Sequence, residues 1–307
     1  MSILEVQNLS ISFQQYTSGL KQKTTRVISS LDISLNEGEI LAVVGSSGSG
    51  KSLLAHAILG ILPDHAILSG TITYDGERLT PARQAALRGK EIALIPQSVT
   101  YLDPLMRVGA QVRTAVRNGD AAEKQRRVFE QYQLDPAVEK LFPFQLSGGM
   151  ARRVLVSMAM VSGARVLIAD EPTPGLDPAV MKEALRYFRE LADSGAAVML
   201  ITHDIDSATQ IADKIAVFYA GSTVEVAPVK DFEESGERLR HPYSRALWRA
   251  LPQNDFVPIP GSQPKPGSLP EGCTFAPRCE HAVAACASVQ PEMRELRGGM
   301  VRCVHAT

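Results

Sequence analysis

The eight residues Gly45-Ser46-Ser47-Gly48-Ser49-Gly50-Lys51-Ser52 fit the pattern G-x-x-x-x-G-K-S/T at every constrained position. They follow the apolar run Ile40-Leu41-Ala42-Val43-Val44 and precede the apolar-periodic stretch Leu53-Leu54-Ala55-His56-Ala57-Ile58-Leu59. The local order is therefore strand, glycine loop, helix. Glycines let backbone N–H groups converge on an anion without Cβ clashes, and the helix N-terminus adds the positive end of its dipole. The pattern predicts a phosphate cradle in which Lys51 reaches the β- and γ-phosphates of a nucleotide and the Ser52 hydroxyl ligates Mg²⁺.

The chain has 307 residues and a formal net charge of −1. That length admits one large domain or two smaller ones. Near-neutrality argues against a broad nucleic-acid footprint. No apolar run approaches the roughly 20 residues needed to span a bilayer; the apolar-rich segment 154–170 is interrupted by Gly163 and Arg165. The start, Met1-Ser2-Ile3-Leu4-Glu5, lacks the charged and apolar regions of a signal peptide. The expectation is a soluble, cytoplasmic chain that meets a membrane only through partners.

Leu4, Val6, Leu9, Ile11 and Phe13 alternate as in a strand, followed by a polar segment over 14–25. Strand-like runs recur at 27–35 and 71–74, with a turn at Asp75-Gly76. Alternating strand and helix patterns then return at 165–169, 181–192, 197–201, 207–212 and 215–219. Together these predict an antiparallel sheet beside an α/β core with a mainly parallel sheet. Residues 100–163 read as a helical insertion, and the charged stretch Glu123-Lys124-Gln125-Arg126-Arg127 reads as its solvated face. Pro252, Pro258, Pro260, Pro264, Pro266 and Pro270 mark a semi-extended spacer ahead of a cysteine-bearing tail.

Two further signals carry chemistry. In Val166-Leu167-Ile168-Ala169-Asp170-Glu171 an apolar strand delivers two acids at its C-terminal end, where open α/β sheets place ligands. Asp170 would serve the metal and Glu171 would polarise the water attacking the γ-phosphate. Leu146-Ser147-Gly148-Gly149-Met150 opens the apolar-periodic run at 154–159 and again offers backbone N–H groups to an anion. The first loop already holds the γ-phosphate, so this surface is expected to meet the nucleotide of a second subunit.

With these motifs in this order the chain resembles the ABC ATPase family. The resemblance implies a P-loop NTPase (RecA-like) α/β core with an antiparallel β subdomain, a helical signature subdomain over about 100–163 and a C-terminal cysteine-bearing extension. It implies an ABC nucleotide-binding domain over 1–230 and the extension over 231–307. Gln97 matches the Q-loop glutamine, a contact of Mg²⁺ and of the attacking water. Leu146–Met150 matches the LSGGQ signature, with Met150 in the glutamine place. Asp177, in Pro174-Gly175-Leu176-Asp177, matches the D-loop, and His203 the H-loop histidine that senses the γ-phosphate. Phe13 falls at the adenine-stacking aromatic, with Tyr16 as the fallback. The chain departs from the family at Pro174-Gly175, where threonine or serine is commoner; proline removes a backbone donor and fixes φ. Every catalytic position is present, and an active half-site is expected.

The SGGM form, Tyr101-Leu102-Asp103-Pro104-Leu105-Met106, His241-Pro242-Tyr243-Ser244-Arg245-Ala246-Leu247 and the tail Gly272-Cys273-Thr274-Phe275-Ala276-Pro277-Arg278-Cys279 resemble one branch: the ATPases of oligopeptide, dipeptide and nickel importers, and within it the first ATPase of the usual pair. That resemblance implies ATP and Mg²⁺, a second, SGGQ-type ATPase, two transmembrane permease subunits, an external substrate-binding protein, and residence on the cytoplasmic face of the membrane. The cargo is left open between peptides and nickel or metal–chelate complexes. A soluble ABC protein acting on ribosomes or DNA is the rival class, disfavoured by the single cassette and the lack of sustained heptads; an export-type ATPase is the rival within transporters. The four cysteines Cys273, Cys279, Cys286 and Cys303, spaced Cys-x5-Cys-x6-Cys-x16-Cys, could close a Zn²⁺ site, hold an Fe–S cluster, or stay unligated or form disulfides. The branch resemblance favours a 4Fe–4S cluster.

Overall fold

The computed structural model describes residues 2–16, 21–233 and 236–306. Along the first half of the chain lie β1 (Ser2–Tyr16), β2 (Gln22–Asn36), β3 (Ile40–Gly45), α1 (Lys51–Leu59), β4 (Ala66–Tyr74), β5 (Glu77–Arg78), α2 (Pro81–Leu87), β6 (Ile92–Ile95), α3 (Val108–Ala115), α4 (Ala121–Gln131) and α5 (Gly148–Val161). There follow β7 (Val166–Asp170), α6 (Pro178–Asp193), β8 (Ala197–Ile201), α7 (Ile205–Ile211), β9 (Lys214–Tyr219), β10 (Ser222–Pro228), α8 (Pro242–Arg249), α9 (Ala284–Ser288), β11 (Arg294–Leu296) and β12 (Gly299–Val301). The described parts of Met1–Asn36, Leu41–Leu79 and His203–Thr307 make one compact unit, and Glu37–Ile40 with Thr80–Thr202 make the other.

In the first unit β4, β1 and β2 form an antiparallel sheet. Leu4, Val6, Leu9 and Ile11 of β1 are buried. Their spacing skips a residue at Gln7-Asn8, where Asn8 has φ +48 and the register against β2 shifts between Val6 and Leu9. That irregularity is a bulge, which restores the apolar face after the extra residue. The polar segment at 14–25 continues the pairing, Gln14 with Thr24, Gln15 with Lys23 and Tyr16 with Gln22. Backbone hydrogen bonds are indifferent to side-chain polarity, so the strands run further than apolar alternation marks. Parallel to β3 lies β9, and β10 returns antiparallel beside β9. Both central strands are buried along their length, as apolar runs in a covered sheet must be.

The extension is built onto β10. Strand β12 pairs with β10 and β11 with β12. A buried ion network locks this corner. The Arg240 guanidinium lies 3.2 Å from Glu225 Oε1 and 2.8 Å from Asp231 Oδ2. The backbone N–H groups of Arg240 and His241 also donate to the Glu225 carboxylate, each at 2.8 Å. Arg278 holds the proline-rich spacer, donating to the carbonyls of Pro260 at 2.7 Å and Ile259 at 2.9 Å.

In the second unit β6, β7 and β8 run parallel in the order β8-β7-β6, and α3, α4 and α5 pack on one another. Ser147, Asp177 and Asp120 cap α5, α6 and α4 with their side chains.

Candidate functional site

The first unit holds the glycine loop between β3 and α1. Gly45 has φ +156, and a Cβ there would sit 2.3 Å from the Phe218 carbonyl oxygen of the neighbouring strand. Only glycine allows β3 to turn so close to β9. Gly50 has φ +101 and stands at the N-cap of α1, with no side chain capping the helix. The first-turn N–H groups of α1 are therefore left for a ligand. Lys51 is buried, and its Nζ donates to the carbonyls of Gly45 at 2.8 Å and Ser46 at 3.2 Å. Its ammonium thus lies over the loop's own backbone, at the position from which a lysine addresses a bound phosphate. Ser49 is buried, and Ser47 and Gly48 are exposed or nearly so.

Phe13, on β1, is half-buried with its ring 5.5 Å from that of His65. Of Tyr16 only the backbone is described, so the fallback aromatic lies outside the described residues. His203 is exposed and immediately precedes Asp204, the side-chain cap of α7.

The second unit gathers the acids. Asp170 and Glu171, both buried, close β7 at its C-terminal end. Gln97 follows β6, whose Ile95 pairs with Ala169, so the glutamine and the two acids leave the same end of neighbouring parallel strands. Glu171 has φ +48, an uncommon conformation for a non-glycine residue. Its N–H donates to the Ile201 carbonyl at 2.9 Å, and Arg152 donates to its carbonyl at 2.6 Å, which help hold this backbone. Burial pulls the Arg152 guanidinium below its usual pKa, while the charges of Glu171 and Asp170 oppose that shift.

The signature lies in this unit too. Ser147 and Gly148 are exposed at the start of α5. Ser147 Oγ accepts the Met150 N–H at 3.2 Å. A Cβ on Gly148 would meet nothing within 4 Å, whereas one on Gly149 would lie 3.6 Å from the Gly175 carbonyl oxygen. The D-loop thus runs beside the signature. Gly175 has φ +79, and Asp177 Oδ1 accepts the Val180 N–H at 3.1 Å.

Three participants escape the motifs. Arg152 is one; in the sequence it is an ordinary helix cation, and only the path of α5 brings it to Glu171. The second is Gln263, deep in the proline-rich spacer, whose side-chain oxygen accepts from the Ser46 hydroxyl of the glycine loop. The third is Tyr243, which belongs to the His241–Leu247 segment but is not marked there as a neighbour of the loop; it is buried, faces Ser46 and packs its ring 4.4 Å from Tyr219 and 5.3 Å from Phe275. No local pattern marks either contact with the loop.

Cys273, Cys279, Cys286 and Cys303 line one small cavity together with His241 and His305. All four are free thiols. Burial, and then the neighbouring thiols, push Cys273 and Cys279 above the usual thiol pKa. Cys286 Sγ lies 3.5 Å from His305 Nε2. Among the described residues no three His, Cys, Asp or Glu side chains are arranged to hold a metal ion. A single-ion zinc site therefore finds no support.

Comparison with known proteins agrees with this architecture. Residues 28–174 match the family described as ABC transporter, and residues 224–286 match the oligopeptide/dipeptide transporter C-terminal region. The oligopeptide transport ATP-binding protein OppD of Escherichia coli (strain K12) is 34% identical over 98% of this chain and 97% of its own length. The dipeptide transport ATP-binding protein DppD of Bacillus subtilis (strain 168) is 35% identical over 94% of this chain and 90% of its own. A solved ATP-binding subunit of an ABC transporter superposes with a TM-score of 0.62 at 26% identity, covering 75% of this chain and 92% of that one. The α/β core, the phosphate loop and the C-terminal region thus place the chain in the ABC transporter family, as an ATPase of the oligopeptide/dipeptide importer branch.

Proposed function

We propose that this chain is one half of a paired ATPase motor on the cytoplasmic face of the membrane, driving peptide uptake, with residues 1–230 as its cassette and 231–307 as its extension. The observation that carries the pairing is the exposed Ser147–Gly148 start of α5, an anion-binding type of helix end in a chain that already has a phosphate loop. In this reading Gly45–Ser52 cradle the phosphates of one ATP, Phe13 stacks on its adenine, Glu171 polarises the attacking water and His203 senses the γ-phosphate. Ser147, Gly148, Gly149 and Asp177 close on the ATP held by a different, SGGQ-type subunit. Each ATP contacts both subunits, so it favours the closed pair over the open one. Mg²⁺, when bound, neutralises charge on the phosphate oxygens, and Ser52, Gln97 and Asp170 are the residues to hold it.

Tyr101, Leu105 and Phe144 are exposed apolar side chains in the second unit. They suit the docking of a permease helix, the route by which closure reaches two transmembrane subunits; no helix among the described residues is itself long and apolar enough to cross a membrane. Peptide is favoured over nickel as cargo because the relatives above are named for oligopeptides and dipeptides; an external binding protein would select it. The four cysteines hold a 4Fe–4S cluster in this reading, supported by their shared cavity.

The test is ATP-dependent association. The Glu171→Gln protein, mixed with its SGGQ-type partner, should form a stable heterodimer with ATP but not with ADP, and Ser147→Arg should abolish it. In proteoliposomes carrying both permeases, peptide uptake should require ATP and the external binding protein. Full turnover by this chain alone, untouched by Ser147→Arg, would refute the paired site.

A further inference from the structure

The proline-rich spacer is pinned on both sides of Gln263. On one side Arg278 donates to the carbonyls of Ile259 at 2.9 Å and Pro260 at 2.7 Å, and to the Tyr219 hydroxyl at 3.1 Å. On the other, Gly267 lies so close to β2 that a Cβ there would sit 3.2 Å from Thr25 Cγ2. Pro264 and Pro266 fix their own φ and bias Gln263 and Lys265 toward extended backbone. Gly261, Ser262, Lys265 and Pro266 are exposed, whereas Gln263 and Pro264 turn inward and are half-buried.

That inward turn ends on the glycine loop. The Ser46 hydroxyl donates to Gln263 Oε1. The Tyr243 phenol, packed against Tyr219 and Phe275, faces the side chain and the backbone of the same serine. From within the loop, Lys51 Nζ donates to the Ser46 carbonyl at 3.2 Å. Ser46 is thus held on its hydroxyl by the extension and on its carbonyl by the phosphate-loop lysine. At its other anchor the spacer meets Thr25, the cross-strand partner of Phe13. It therefore touches the phosphate loop at Gln263 and, at Gly267, the strand opposite the aromatic assigned to adenine.

We propose that the spacer is a strap along the nucleotide site and that Gln263 is a positioning residue for ATP: through the Ser46 hydroxyl it holds the phosphate loop in the shape that receives phosphates, and bound ATP in turn holds the spacer down. The inference rests on the phosphate-loop reading given above. A loop that samples several shapes binds with an affinity reduced by the fraction that is competent, and a bond that favours the competent shape raises that fraction. The coupling is reciprocal, so whatever the spacer adds to ATP affinity, ATP adds to spacer docking. No covalent bond is made or broken.

The experiment measures binding of a non-hydrolysable ATP analogue with Mg²⁺ to the full-length protein by calorimetry. Gln263→Met keeps the length of the side chain and removes the acceptor; Ser46→Ala removes the donor. One neutral hydrogen bond sets the scale: Gln263→Met should weaken binding by roughly 2- to 10-fold and should have no further effect in the Ser46→Ala background. With the paired subunit present, the change should fall on KM for ATP and not on kcat. Unchanged binding by a folded Gln263→Met protein overturns the inference and leaves the phosphate-loop reading standing; so does an equal loss from Gln263→Met in the Ser46→Ala background. Wild-type binding by Lys51→Ala overturns both. Should Gln263→Met fail to fold, subtilisin cleavage of the wild-type chain within 261–268, located by mass spectrometry, decides. Cleavage there that the analogue slows relative to cleavage in the exposed stretch 117–120 supports the inference, and an unchanged ratio overturns it.

Discussion

Replacing Arg152 by alanine should slow ATP hydrolysis without weakening ATP binding. Arg152 donates to the Glu171 carbonyl at 2.6 Å, and Glu171 holds the uncommon φ of +48. Its backbone N–H also donates to the Ile201 carbonyl at 2.9 Å. A hydrogen bond from a charged donor contributes about 1.5–3 kcal/mol. Arg152 is only half-buried, so water screens part of this, leaving roughly 1–2 kcal/mol. In the proposed mechanism, losing that restraint lets Glu171 relax from the geometry in which it would address water. If the whole of it is felt in the transition state, kcat falls roughly 5- to 30-fold. KM for ATP should change little, because the bond that is lost is to the Glu171 backbone. Steady-state phosphate release with the paired subunit present reads both constants, and a thermal melt checks the fold. A folded Arg152→Ala protein whose kcat stays within about twofold of wild type would refute the reasoning; so would a loss confined to KM.

Other outcomes follow from the same geometry. Glu171→Gln should retain ATP binding and lose roughly 10²–10⁴-fold in turnover, measured as phosphate release; near-normal turnover would remove Glu171 from the water-polarising role. Gly45→Ala drives a Cβ against the Phe218 carbonyl at 2.3 Å; a strain of about 1–3 kcal/mol should appear as roughly 5- to 150-fold weaker ATP binding by calorimetry. Glu225→Ala leaves buried Arg240 with Asp231 as its remaining carboxylate partner; a loss of about 3 kcal/mol should lower Tm by roughly 5 °C, and an unchanged melt would show the network to be dispensable.

Much of the nucleotide site was legible in the chain because its determinants are local. A glycine that must take positive φ, a lysine one residue past a helix N-cap and an acid at the end of a buried strand are each set by backbone geometry within a few residues. The β1 bulge was half-visible: the skipped residue at Gln7-Asn8 breaks the alternation, yet nothing there says that strand pairing continues through the polar residues 14–16. The cysteine spacing marked a special tail but left its use open.

Local spacing therefore determined the fold class and marked the phosphate-loop, acid-pair and signature segments as candidates. Packing over long sequence separations decided the rest. It brought Arg152 to Glu171 and Gln263 to Ser46, and it gathered four cysteines and two histidines around one cavity. Those contacts depend on where whole elements lie, and an isolated arginine, glutamine or histidine looks the same in the chain whether it ends on the surface or against a catalytic loop.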